Sequence, residues 1–199
     1  MDEKTKRLDT DERTALILQT AETLFEAHGV EQVSMHQIAQ SAGVGQGTVY
    51  RRYANKGDLC MALMHRQFHK LQQHTAMILA QPVSFRQQLK DIVKAHIHFL
   101  ESHVAFIETI HDTAMCAEKK QLFYESQPYQ FLHGVLCTLL NKSVAAKQAR
   151  PIQTDFTAHM MIASINPKVY LYLRKKKQYS EREIVDSFAQ SFIDPLYYK

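Results

Sequence analysis

Apolar residues recur every three or four positions along almost the whole chain, and nowhere do they alternate for long. That period predicts an all-α fold. Ile17, Ala21, Leu24, Phe25 and His28 form one stripe of a first helix over about 11–27. Asp9 and Glu12 have capping-box spacing at its start, and Gly29 closes it. A second helix begins after Ser34, which pairs with Gln37 as another capping box. Met35, Ile38, Ala39 and Ala42 face inward, and Gly43 ends it. A short third helix covers about 46–52. Asn55 caps a long fourth one, with Asp58 near its positive end, running to Ala80 and closed by Pro82. Five more are predicted over about 84–102, 104–117, 128–148, 155–175 and 181–194. Pro128 suits a first turn, Ser180 and Glu183 form a capping box, and Pro167 should kink or split its helix. About nine helices result. They divide into an N-terminal three-helix domain, residues 1–57, and a larger helical domain, residues 58–199, with the fourth helix shared along the boundary.

Residues 34–53 read SMHQIAQSAGVGQGTVYRRY. Two short helices flank Ala42-Gly43-Val44-Gly45, the arrangement of a helix-turn-helix. Its second helix can enter a major groove and offer side chains to base edges. Gln46 suits a bidentate contact to adenine, and Gly47 permits close backbone approach. Thr48, Tyr50, Arg51 and Arg52 supply hydroxyl and guanidinium donors, while Val49 and Tyr53 point inward. Charge agrees locally. Residues 1–59 carry seven Lys/Arg against nine Asp/Glu, yet no acid lies between Glu31 and Asp58, where Arg51, Arg52 and Lys56 sit.

At these positions the chain resembles the TetR family of transcriptional regulators. The matching pieces are Gly29, Ile38-Ala39, Ala42-Gly43-Val44, Gly47-Thr48-Val49-Tyr50, Tyr53 and Lys56-Gly57-Asp58-Leu59. The resemblance covers about a quarter of the chain strongly. It implies a dimeric regulator, expected to be a repressor, that binds a palindromic double-stranded DNA operator and is released by a small-molecule inducer. Gln46, Tyr50, Arg51 and Arg52 fall on DNA-touching positions, Thr48 and Lys56 on phosphate positions. Ser34, His36 and Gln37 lie near the backbone of the duplex. The family often has Ser or Thr where Gly45 stands, and glycine caps less well.

Two copies of the third helix must sit about 34–36 Å apart, or a multiple, to read a two-fold operator. Phe156 and Met160, with Ile184, Phe188 and Phe192, supply apolar faces on the last two helices for a homodimer; intramolecular core is the competing reading. Phe99, Phe106, Ile110, Met115, Tyr124 and Phe131 are candidates for an apolar or aromatic ligand pocket, and plain core competes there too. Glu101, Glu108 and Asp112 fall on one helical side and could neutralise a cation, or simply be solvated. Arg174-Lys175-Lys176-Lys177 reads as a solvated helix end.

The remaining composition mostly excludes. There is no nucleophile elbow, phosphate loop, zinc-protease motif or dinucleotide fingerprint, so no enzyme is expected, although His111 and Cys116 lie close in sequence. No apolar run spans a membrane and no secretory signal opens the chain. Cys60, Cys116 and Cys137 are few and widely spaced, which fits a reducing cytoplasm. Eleven histidines, among them His65, His69, His74, His96, His98, His103 and His111, raise a metal-sensing alternative. No Cys, Asp or Glu visibly completes a ligand set with them, so neither metal nor cofactor is expected. A DNA-binding activator without an effector is the other alternative.

Overall fold

The structure is a computed structural model that describes residues 10–113 and 125–198, with side chains over 11–110 and 125–198. Every named element among these residues is helical: α1 (Thr10–His28), α2 (Met35–Ser41), α3 (Gln46–Arg52), α4 (Lys56–Ala80), α5 (Phe85–Ser102), α6 (Val104–Thr113), α7 (Gln127–Ala145), α8 (Thr154–Ser164), α9 (Pro167–Leu171) and α10 (Glu181–Phe188). The capping boxes at Ser34/Gln37 and Ser180/Glu183 are both formed. Asp9 lies outside the described residues. Pro167 splits its segment as its missing N–H requires. Asn166 caps α9, accepting from the amides of Lys168 and Val169. Past α9 and α10 the backbone widens into π-helical turns, Tyr172–Lys176 and Ala189–Ile193.

The chain forms two compact units. The first comprises the described residues of Met1–Arg66 and Ala105–Met115. Its core is Ile17, Ala21 and Phe25 of α1, Met35, Ile38 and Ala39 of α2, Val49 of α3 and Leu59, Cys60 and Leu63 of α4. Gly29 and Gly43 have φ of +80° and +63°, the left-handed region where a side chain is strained. The chain can reverse there and bring three short helices onto one core. Asn55 Oδ1 accepts from the Asp58 amide at 2.9 Å and starts α4. Phe106 packs against Phe25, rings tilted by 60° with centroids 5.8 Å apart, and Ile110 packs on the same core. Both were grouped with the pocket aromatics from sequence; α6 turns them toward the helix-turn-helix core instead.

The start of α3 is less well held. Gly45, its N-cap, has φ −63° and ψ 139° and supplies no side-chain acceptor. A Cβ there would meet only Thr48 Oγ1, at 3.8 Å. Neither backbone nor neighbours require glycine at this position.

The second unit comprises the described residues of Gln67–Val104 and Cys116–Lys199. α7 packs on α5 and α8, and α10 packs on α5. Leu89, Ile92, Ile97, Leu136, Leu139, Leu140, Met161 and Tyr170 are fully buried. Ile184 and Phe188, expected at a dimer interface, are 3% and 4% exposed within one chain, because α10 spends its apolar face on α5. The C-terminal segment is tied back by a buried 2.8 Å bond between the Tyr197 and Ser143 hydroxyls, and Asp194 accepts from Arg86 and Lys90. Glu101 is also committed. Arg174 Nε donates to its Oε2 at 2.8 Å and Nη2 to Oε1 at 2.5 Å, and the Tyr170 hydroxyl donates to it as well. The expected cation anchor is therefore already neutralised, and Arg174 is not a loosely solvated helix end.

Two outcomes follow from these contacts. The Arg174 hydrogen bonds hold the Glu101 pKa below the usual carboxylate value. Its stabilising contribution is then complete above the unfolded pKa and is lost as pH falls through the folded one. Glu101→Gln should cost about 2 kcal/mol at pH 7, the size of a charged hydrogen bond, and lose less than the native chain between pH 7 and pH 4 in urea melts. Gly45→Ser should raise stability by a few tenths of a kcal/mol, read as a small upward shift of the urea midpoint, because it adds the missing cap without a clash.

Candidate nucleic-acid interface

The third helix has two unlike faces. Val49 is fully buried and Tyr53, just past its end, is 8% exposed; burial pushes the Tyr53 hydroxyl pKa up. Gln46, Gly47, Tyr50 and Arg51 face solvent, with Tyr50 45% exposed, while Thr48 and Arg52 are partly covered. Arg51 Nε donates to the Gly47 carbonyl at 3.3 Å, one turn back, so the guanidinium lies along α3 with its remaining donors outward. A Cβ on Gly47 would meet nothing within 4 Å, so the fold does not demand glycine there. Of the residues singled out for DNA contact on this helix, Gln46, Gly47, Tyr50 and Arg51 thus lie open to solvent, and Thr48 and Arg52 only in part.

The start of α2 lies close by in sequence and is rigid. Ser34 Oγ accepts from the Gln37 amide at 3.2 Å, and the Ser34 amide donates to Gln37 Oε1 at 2.7 Å. Both side chains are exposed, but they are occupied with each other; His36 is exposed beside them. Lys56, expected at a phosphate, also has a task within the fold. Its Nζ donates to the carbonyls of Val30 at 2.7 Å and Glu31 at 3.2 Å, which ties the α1–α2 loop to the first turn of α4. Two of its three donors are thus spent inside the fold.

The pocket candidates separate. Phe131 lines an open cavity of about 410 Å³ with Leu79, Phe85, Gln88, Val135, Leu139 and Lys142. Phe99 joins the same aromatic group through Phe68, whose ring lies 6.3 Å from Phe99 and 5.6 Å from Phe131. Gln88 Nε2 donates to the carbonyls of Leu79 and Gln81, both at 3.1 Å, and stiffens this corner. Phe106 and Ile110 belong to the other unit, as described above. Met115 and Tyr124, like Cys116, lie outside the described residues. Of the dimer candidates, Phe156, Met160 and Phe192 remain exposed, at 65%, 46% and 37%. Phe156 and Met160 stand one turn apart on α8.

Three of the noted histidines hydrogen-bond elsewhere in the fold. His98 pairs with Glu181 at 3.1 Å, His69 with Gln72 at 3.0 Å, and His103 with the Phe99 carbonyl at 2.7 Å. Burial lowers the His96 pKa to about 4, so that ring is neutral. Among the described residues a metal-competent cluster does exist, away from the histidines noted in the sequence: His133, Cys137 and Asp155 place their donor atoms within 4.8 Å of one another. The signal that could have found it is the one-turn spacing of His133 and Cys137 and of Asp155 and His159.

Comparison with known proteins agrees with this geometry. The family model for bacterial regulatory proteins of the tetR family matches residues 17–63, the helix-turn-helix and its flanks. A transcriptional regulator of the helix-turn-helix type from Staphylococcus aureus (strain MRSA252) is 28% identical over 164 residues, covering 82% of this chain and 83% of its own. Among solved structures, a TetR/AcrR-family regulator from Thermobifida fusca has a TM-score of 0.66 at 15% identity, over 93% of this chain and 98% of its own. FadR from Bacillus subtilis, in complex with stearoyl-CoA, has a TM-score of 0.66 at 16% identity, over 92% of this chain and 99% of its own. FadR from Thermus thermophilus, in complex with lauroyl-CoA, has a TM-score of 0.69 at 12% identity, over 94% and 96%. The likeness of these structures shows the fold. Residues 17–63 thus match the tetR family of bacterial regulatory proteins, and the chain is similar over most of its length to transcriptional regulators of the helix-turn-helix type.

Proposed function

We propose that this regulator binds a two-fold DNA operator as a homodimer, represses from it, and is released by an apolar or aromatic small molecule. It acts by binding rather than by catalysis. The observation that carries the DNA part is the outward face of α3. Gln46, Tyr50 and Arg51 stand on the side opposite Val49, on a helix short enough to lie in the major groove. Gly47, a glycine the fold does not need, leaves space for a phosphate or base edge to approach the backbone. Thr48 and Arg52 flank that face, and Ser34, His36 and Gln37 supply polar groups at the start of α2. Lys56 contributes by bracing the domain, with one donor left for a phosphate.

Dimerisation uses the exposed Phe156 and Met160 of α8 together with Phe192; an apolar face of this kind is normally covered by a partner. Ile184 and Phe188 support it from beneath. For the effector, the open cavity beside Phe131 sets apolar walls from Leu79, Phe85, Val135 and Leu139 against the polar side chains of Gln88, Gln130, Thr138 and Lys142. The acyl-CoA complexes of the two FadR structures make a long acyl chain a sensible first compound to try. Whatever the effector, it must bind the released form more tightly than the DNA-bound form, or nothing shifts.

The DNA reading is tested by selecting operator sequences with the purified protein and measuring anisotropy with the winner. Tyr50→Ala and Arg51→Ala should each weaken binding by about 1–3 kcal/mol, the size of a lost specific contact. A folded double variant that binds as tightly as the native protein would refute it. For the dimer, Phe156→Asp combined with Met160→Asp should give monomers in sedimentation equilibrium while the circular dichroism stays helical; dimers of unchanged stability would exclude the α8 face.

A further inference from the structure

The packed pair α7 and α8 carries four potential metal ligands in two one-turn spacings. His133 and Cys137 lie on α7, Asp155 and His159 on α8. Side chains one turn apart share a helix face, so each helix presents two donors to the other. We propose that His133 Nε2, Cys137 Sγ and the Asp155 carboxylate form a binding site for a late first-row divalent cation, zinc(II) foremost, with His159 closing the coordination.

Distances favour this. Cys137 Sγ lies 3.5 Å from His133 Nε2, and Asp155 Oδ1 lies 3.2 Å from the same nitrogen. Metal bonds of about 2.0 Å to nitrogen or oxygen and about 2.3 Å to sulfur, at a tetrahedral angle, separate donor atoms by about 3.3–3.5 Å. The side chains already stand near the spacing a tetrahedral ion imposes. His159 Nε2 lies 3.7 Å from Asp155 Oδ2, and its ring stacks on that of His133 with centroids 4.0 Å apart. To serve as the fourth ligand, its ring must turn out of the stack with His133.

The surroundings are those of a built site. The Tyr129 hydroxyl hydrogen-bonds His159 Nδ1. With Nδ1 protonated and donating to Tyr129, Nε2 keeps its lone pair for the cation. Tyr129 is itself buried and its ring lies parallel to both imidazoles. The Asp155 side chain is 77% exposed and that of His133 18%, so the cluster is covered from within and open to solvent on the carboxylate side, an entry path for an ion. A sulfur donor with imidazoles selects zinc and its neighbours over magnesium or calcium, which want oxygen alone. On binding, the Cys137 thiol releases its proton to solvent as the metal–sulfur bond forms.

This site does not depend on the DNA or dimer readings. Cobalt(II), added to the metal-free full-length protein, is the probe. One equivalent per chain should give the intense visible bands of a tetrahedral ion and a thiolate-to-cobalt charge-transfer band, both displaced by zinc. Cys137→Ser should abolish the charge-transfer band, and His133→Gln should weaken zinc binding by more than about 100-fold; Tyr129→Phe, which removes only the supporting hydroxyl, should cost about 10–100-fold. Circular dichroism without metal controls for folding. Zinc should also protect Cys137 of the native chain from iodoacetamide, read by peptide mass spectrometry, which decides the matter even if a variant fails to fold. An octahedral cobalt spectrum, a charge-transfer band that survives Cys137→Ser, or unprotected Cys137 would overturn the proposal.

Discussion

Val49 decides which way the third helix faces. Its side chain is completely buried in the core shared with Ile17, Ile38 and Leu59. A seven-residue helix has little stability of its own, and its place comes from the face it packs. With Val49 inward and Tyr53 seated just beyond the end, Gln46, Tyr50 and Arg51 have no other place than outside. The left-handed turn at Gly43 allows this, because it lets the chain reverse within the four residues between α2 and α3. The outward face of α3, proposed for DNA, follows from that one buried valine and its glycine hinge.

The N-terminal half was legible because its signals are local. Capping boxes, glycine stops and a three-to-four-residue apolar period each concern neighbours in sequence. Ser34, Asn55 and Pro167 act in the structure as their chemistry suggests. The fate of an apolar face was not legible. Phe106, Ile110, Ile184 and Phe188 all sit at helical spacing, and periodicity says that such a face must be covered without saying by what. α5 covers Phe188, and the helix-turn-helix core takes Phe106. By the same measure Phe156 and Met160 stand out only once neighbours are known to leave them bare.

Polar partners were harder still. Glu101 and Arg174 are 73 residues apart, and neither carries a mark of the other in its own surroundings. The histidines that crowd along α4 and α5 drew attention by number, whereas the two that meet a thiol and a carboxylate lie on α7 and α8. Chemistry assembled across helices is visible only when the helices are packed. The half of that cluster on each helix had the right spacing, but a single i, i+4 pair is common and carries little weight alone.

The Lys56 ammonium has a mechanical consequence. By gripping the Val30 and Glu31 carbonyls it makes the loop ahead of α2 and the opening turn of α4 a single strut, and the Glu22–Arg66 ion pair adds a second brace between α1 and α4. The first turns of α4 are therefore cross-linked to α1 and to the loop ahead of α2 by polar contacts as well as by the apolar core, so this corner of the first unit is pinned at two points along α4.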